Sequence, residues 1–145
     1  MTPDSLFQIA GPIAMVGWAS LALAPLAPKW ADRIGGYTIP AILSVGYAAV
    51  ILGYWWQGQG GFDSLANVML LLSGPWMALA GWVHFLAFDL FIGGWITRTA
   101  RRDGVPHLLV LPCLLLTFLF GPVGLVLFLS IGAARRAFTL REIEA

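Results

Sequence analysis

One ionisable pair stands inside one of the most apolar runs of the chain: His84 and Asp89 in WVHFLAFDLFIGGW, Trp82 to Trp95. Placing a carboxylate in hydrocarbon costs on the order of 3 kcal/mol even on a lenient insertion scale. Such a residue is therefore expected to have a use. A neutral carboxylic acid can donate a proton and an imidazole can accept one, so the pair is a candidate acid and base for chemistry on a hydrophobic guest. On an ideal helix a five-residue separation points the two side chains about 140° apart, with a rise of about 7.5 Å between them. They cannot chelate one metal as an i, i+4 pair would. Asp89 shares a helix face with Trp82, Phe85, Ile92 and Ile96, whereas His84 shares one with Ala80, Phe91 and Trp95. His107, beside Pro106 at the start of the next apolar run, is a third candidate at headgroup level.

Each candidate has a simpler use. Asp89 and His84 would also be satisfied by hydrogen bonds to Tyr47, Ser44, Ser20, Gln8 or Thr117 on neighbouring helices, which would fix the packing register. A His at a helix start near water is commonly just an interfacial residue. Trp18, Trp82, Phe85, Phe88 and Phe91 fall inside apolar runs and either pack helices or line a groove for a long flat apolar molecule. A metal centre needs three or four converging ligands, and the apolar runs offer only His84, Asp89 and Cys113, with His107 at a border, so no metal and no cofactor are expected. No phosphate loop, nucleophile elbow or dinucleotide fingerprint is present.

The elements that carry these residues follow from composition. Of 145 residues, 59% are hydrophobic and 10% charged, against roughly 25% charged in soluble domains. The fold class expected is all-α, a polytopic membrane helix bundle. A net charge of +1 gives no nucleic-acid footprint. Cys113 has no second cysteine to pair with. The N-terminal residues lack the features of a signal peptide, transit peptide or lipidation motif, so the first apolar run is expected to be retained.

A crossing helix needs about 20 apolar residues. Four runs approach this, at about 6–26, 38–56, 75–96 and 106–134, forming one transmembrane domain followed by a polar tail, 135–145. Gly35 and Gly36 read as the entry to the second helix, and Pro75 as the first turn of the third. Trp30, Trp55, Trp56 and Trp76 sit near helix ends, as an interfacial belt requires. FDSLANVMLLLSG is too short to cross and is expected as an interfacial helix capped by Asp63 or Ser64. With four crossings, Lys29, Arg33, Arg98, Arg101 and Arg102 fall on one side, which is then cytoplasmic. Arg135, Arg136 and Arg141 fall on the other, against the rule. A fourth run that broke at Gly121-Pro122 and turned back would remove the conflict, but four full crossings are preferred.

Trp82, His84, Asp89-Leu90-Phe91 and Gly93 or Gly94 before Trp95, then His107, Pro112, Phe120-Gly121-Pro122 and Gly124, resemble the abscisic-acid-deficient-four-like family of small four-helix membrane proteins. The resemblance covers about a third of the chain. Members are associated with neoxanthin synthesis, either in converting violaxanthin, which opens an epoxide and makes an allene, or in a step needed for cis isomers of such pigments. The resemblance therefore implies binding or modification of a carotenoid-like lipid, with Asp89, His84 and His107 as catalytic candidates and Trp82, Phe85, Phe88 and Trp95 contacting the substrate. Asp89 would protonate an epoxide oxygen while His84 takes a proton. Unlike plant members the chain carries no transit peptide, so a multi-pass protein of a bacterial inner (cytoplasmic) membrane is expected, among membrane lipids and with a homo-oligomer left open. A non-enzymatic assembly or pigment-organising factor, braced by an intramembrane polar pair, is the alternative. A proton-coupled carrier would want polar residues on more than one helix and is weaker.

Overall fold

The computed structural model describes residues 1–144, with side chains described through Ala137, and contains no strand among them. Helix α1, Pro3–Ala22, starts at a reciprocal cap in which the Ser5 amide donates to Thr2 Oγ1 (3.3 Å) and the Thr2 amide to Ser5 Oγ (3.0 Å). The helix stops at Ala22, ahead of Pro25 and Pro28. Helix α2, Pro28–Arg33, runs through a wide π turn, Ile34–Thr38, into α3, Ile39–Tyr54, and ends in a 3₁₀ turn, Trp55–Gln57. Together these make one continuous helix of 30 residues, Pro28–Gln57.

The second helix therefore begins ten residues earlier than the sequence suggested, with Gly35 and Gly36 inside it. Pro40 accounts for the widened turn. Its ring would collide with the carbonyl four residues earlier, that of Gly36, and the extra residue in the turn relieves that clash. The glycines serve contact instead of entry. A Cβ on Gly35 would stand 2.6 Å from the carbonyl oxygen of Gly17 in α1, and one on Gly94 would stand 2.6 Å from the Cα of Gly36. Backbones meet directly at this crossing, as small residues in membrane bundles allow.

Ser64 caps the short helix α4, Leu65–Ser73, by accepting from the Asn67 amide at 3.2 Å, while Asn67 Nδ2 donates to Asp63 at 2.9 Å. Helix α5, Pro75–Arg102, is the central element, packed against α1, α3, α4 and the remainder of the chain, with Leu90 and Ile96 wholly buried. It passes Ile96 by six residues, because Thr97 is buried and Arg98 lies over the Tyr37 ring at 4.4 Å. Three helices among the described residues are long and apolar enough to cross a membrane: Pro3–Ala22, Pro28–Gln57 and Pro75–Arg102. Their outer faces carry exposed Val16, Ile42, Val45 and Leu52, a surface suited to acyl chains and not to water.

The expected fourth crossing is replaced by a helical hairpin. Helix α6, His107–Phe120, ends at Gly121, and α7, Pro122–Glu144, runs back along it. Gly121 has φ 47°, a left-handed conformation that only glycine adopts cheaply, and it reverses the chain. Pro122 then enters the first turn of α7, where its missing N–H removes one donor that would otherwise need a partner at membrane depth. The expected polar tail is a continuation of α7 through Glu144; the Arg141 side chain and Ala145 lie outside the described residues.

The hairpin settles the charge conflict. Arg135 Nη2 donates to the carbonyl of Gly104 at 3.1 Å, so α7 returns to the end where α5 finished. At that same end Arg101 pairs with Asp32 of α2, and His107 Nε2 lies 2.9 Å from the carbonyl oxygen of Ala22. All the described Lys and Arg residues thus gather at one end of the bundle, as the positive-inside rule requires. In intact inverted and right-side-out vesicles, Asp103→Cys and Arg136→Cys are expected to react with a membrane-impermeant maleimide from one side and Gly61→Cys from the opposite side. Labelling of Arg136→Cys from the Gly61 side would restore the single crossing.

Candidate functional site

Asp89 lies thirteen residues before Arg102, about 20 Å along the helix, near the middle of α5. Helix α6 has 14 residues and rises about 21 Å from the basic end, so its tip arrives at the same depth. The two meet there. Asp89 Oδ1 lies 2.7 Å from the place a Cβ on Gly121 would occupy. Asp89 Oδ2 is buried and has no hydrogen-bond partner among the described residues. Two of the suggested bracing partners are engaged elsewhere: Ser20 Oγ donates to the Gly17 carbonyl at 2.7 Å, and Thr117 Oγ1 to the Cys113 carbonyl at 2.8 Å.

The carboxyl lines a groove of about 310 Å³ between α1, α5 and α6. Gly11, Ala14 and Met15 form the α1 wall with Trp18, and Phe118 and Leu119 form the α6 wall. On α5, Trp82, Phe85 and Leu86 accompany Asp89. Trp18 and Phe118 meet edge to face at 5.6 Å, Trp82 lies on Phe85 at 5.7 Å, and Phe7 approaches Trp82 at 5.6 Å. Gly11 and Ala14 keep the α1 side open. The result is an aromatic slot in the apolar part of the bundle with one acid in its wall.

Of the residues expected from the sequence, Asp89, Trp82 and Phe85 come together. The others do not join them. His84 stacks on Phe88 at 4.6 Å and approaches the Tyr47 ring at 5.5 Å, on the α3 side of α5. Phe88 lines a separate gap of about 320 Å³ with Phe91 and residues of the Pro28–Gln57 helix, among them Tyr37 and Ser44. Trp95 packs edge-on against Phe128 at 5.8 Å, toward the basic end. His107 sits under the C-terminus of α1, where the Ala22 carbonyl would otherwise be an orphan. Among the described residues no three His, Cys, Asp or Glu side chains converge on one point.

The sequence does not single out Phe118, and it offers Trp18 only as packing or groove-lining and Gly121 only as a break and a residue of the family pattern. Trp18 was visible as an interior aromatic, and GPVG as a helix break, but neither spacing says that both approach Asp89. That information is tertiary. Chemically, the slot can hold an extended unsaturated molecule against aromatic faces, exclude water from it, and exchange a proton with it at Asp89.

Compared with known families, the chain matches the ABA DEFICIENT 4-like family over residues 5–128, which takes in the lining residues of the groove on all three helices and the hairpin tip. Neither the curated proteins nor the solved structures yield a match.

The contact between Asp89 and the turn is testable by itself. Gly121→Ala forces a side chain into left-handed backbone and into the carboxyl, and is expected to lower stability by about 1–3 kcal/mol. The readout is thermal unfolding of the detergent-solubilised protein. An unchanged midpoint would mean that the turn does not stand where the structure puts it.

Proposed function

The chain belongs to the ABA DEFICIENT 4-like family, and on that premise we propose that it binds a carotenoid-like polyene in the groove between α1, α5 and α6 and isomerises it, with Asp89 as the group that moves the proton. The observation that carries this reading is the buried, unpartnered oxygen of Asp89 in the wall of an aromatic slot. An acid that neither pairs nor hydrogen-bonds with the protein is free to do so with a guest.

The proton balance suits one residue. Opening an epoxide to an alcohol adds a proton to oxygen, and forming an allene removes one from carbon, so the product is an isomer of the substrate. Asp89 gives up its proton to the epoxide oxygen as the C–O bond breaks. The carboxylate then takes a proton from the carbon next to the cation, the C–H electron pair becomes the new double bond, and the acid is restored. A cis/trans change works the same way: protonation of a polyene carbon leaves a single bond that can rotate, and loss of that proton re-forms the double bond. His84 lies outside the groove and is not needed in either sequence. Trp18, Trp82, Phe85 and Phe118 would position the polyene, and the apolar lining and surrounding acyl chains would keep water from trapping the cation.

A second reading rests on the same residue's contact with Gly121. Asp89 would then brace the hairpin tip in a non-enzymatic pigment-organising factor. The two separate on substitution. In a host that makes epoxy-carotenoids, Asp89→Asn is expected to leave protein yield and melting temperature close to wild type while lowering pigment conversion about a hundredfold or more, as loss of a general acid does. Loss of the protein from the membrane, with no independent pigment effect, supports bracing. Trp82→Ala is expected to reduce co-purified pigment, and Phe88→Ala, on the α3 side, to leave it unchanged. Equal loss from both would place the guest elsewhere.

A further inference from the structure

A cavity larger than the groove lies away from Asp89. Helix α7 packs along α6 and stands off the C-terminal part of α5, leaving a cleft of about 750 Å³. Its floor is apolar: Trp95 and Phe128 in edge contact, with Val105 and Leu129 beside them. Its mouth is lined by Arg102, Arg135 and Arg136, and among the described lining residues the one acid is Asp103, which pairs with Arg102 at 3.0 Å. Gly132 of α7 borders the gap and has nothing within 4 Å of the place its Cβ would occupy.

An open cleft of this size between helices is wide enough to take an acyl chain from the surrounding bilayer. The charge decides which kind of lipid. An apolar channel opening at a cluster of arginines on the basic end of the bundle has the two chemistries of an anionic amphiphile, acyl chain below and phosphate above. We propose that this cleft is a binding site for an anionic phospholipid, its headgroup held by Arg102 and Arg136 and one acyl chain lying on Trp95, Phe128 and Leu129. Arg135, which bonds to the Gly104 carbonyl, holds α7 at the distance that keeps the cleft open. The site is separate from the Asp89 groove and independent of its function.

The protein is reconstituted in nanodiscs of phosphatidylcholine with a minor fraction of phosphatidylglycerol, and the lipid retained after extraction into mild detergent is counted by native mass spectrometry. Phosphatidylglycerol is expected to be retained in preference to phosphatidylcholine. Each arginine near the surface is worth about a fivefold change in such binding, so Arg102→Gln with Arg136→Gln is expected to lower that preference about thirtyfold. Gly132→Leu places its Cβ where nothing lies within 4 Å and extends a side chain into the cleft that Gly132 lines. It is expected to abolish retention while leaving the melting temperature at or above that of wild type. Inorganic phosphate, the headgroup chemistry without the chain, is expected to compete weakly or not at all. The proposal is overturned if phosphatidylcholine is retained equally well, or if the preference survives both Gly132→Leu and the double arginine variant. Retention blocked by inorganic phosphate alone, or a cleft variant that only dissociates a dimer, overturns it as well.

Discussion

A helix pair that turns round inside hydrocarbon must hide the turn. Backbone N–H and C=O groups at membrane depth have no water to bond, so an irregular segment there survives only when buried in protein. The turn at Gly121 meets this demand by contact with α5 at Asp89, by the Gly121 amide donating to the Thr117 carbonyl at 2.9 Å, and by the use of Pro122, which has no N–H to satisfy. The depth of the turn follows from the length of α6, and its position from where α5 offers a polar group. Most of the molecule's organisation descends from this one meeting: the groove bordered by Phe118, the return of α7 to the basic end, and the cleft where α7 stands off α5 beyond the Trp95–Phe128 contact.

Close backbone contact makes the meeting accurate. Gly17, Gly35, Gly36 and Gly94 let α1, the Pro28–Gln57 helix and α5 approach until main chains touch. In a bilayer, apolar side chains gain little by leaving lipid for protein, so packing quality carries the association. Trp18 reaches across this crossing to a spot on α5 where Gly93 leaves room, the nearest ring atom lying 2.7 Å from where a Gly93 Cβ would be. From there it forms one wall of the groove. The glycine contacts and the aromatic slot are thus parts of one arrangement, in which α1 is drawn in against α5 at Gly93 and held open by Gly11 and Ala14 further along.

The two histidines show what an ionisable residue in an apolar chain can contact away from the groove. His107 supplies a partner to the last carbonyl of α1 at the basic end. His84 is a flat ring among flat rings, stacked with Phe88 and facing Tyr47. Asp89 differs because its environment leaves an oxygen unmatched. The distinction rests on partners, and partners sit on other helices.

Much of the fold was legible in one dimension because hydrocarbon imposes length and composition on any chain that crosses it. The apolar runs, the Ser64 cap, Pro75 at the start of α5 and the all-helical class follow from that constraint, and so does the prominence of Asp89. The period of the helix also placed Trp82 and Phe85 on the face of Asp89. Three-dimensional packing decided the rest. Gly35 and Gly36 read as a helix entry until a π turn is seen to carry the helix through them, and residues 106–134 read as one long apolar run until Gly121 adopts a left-handed conformation. The imbalance of Arg135 and Arg136 was the trace of that turn in the sequence. Trp18 and Phe118 became walls of a site only when α1 and the hairpin closed on α5, since helical period reports which way a side chain points and never what another helix brings to meet it.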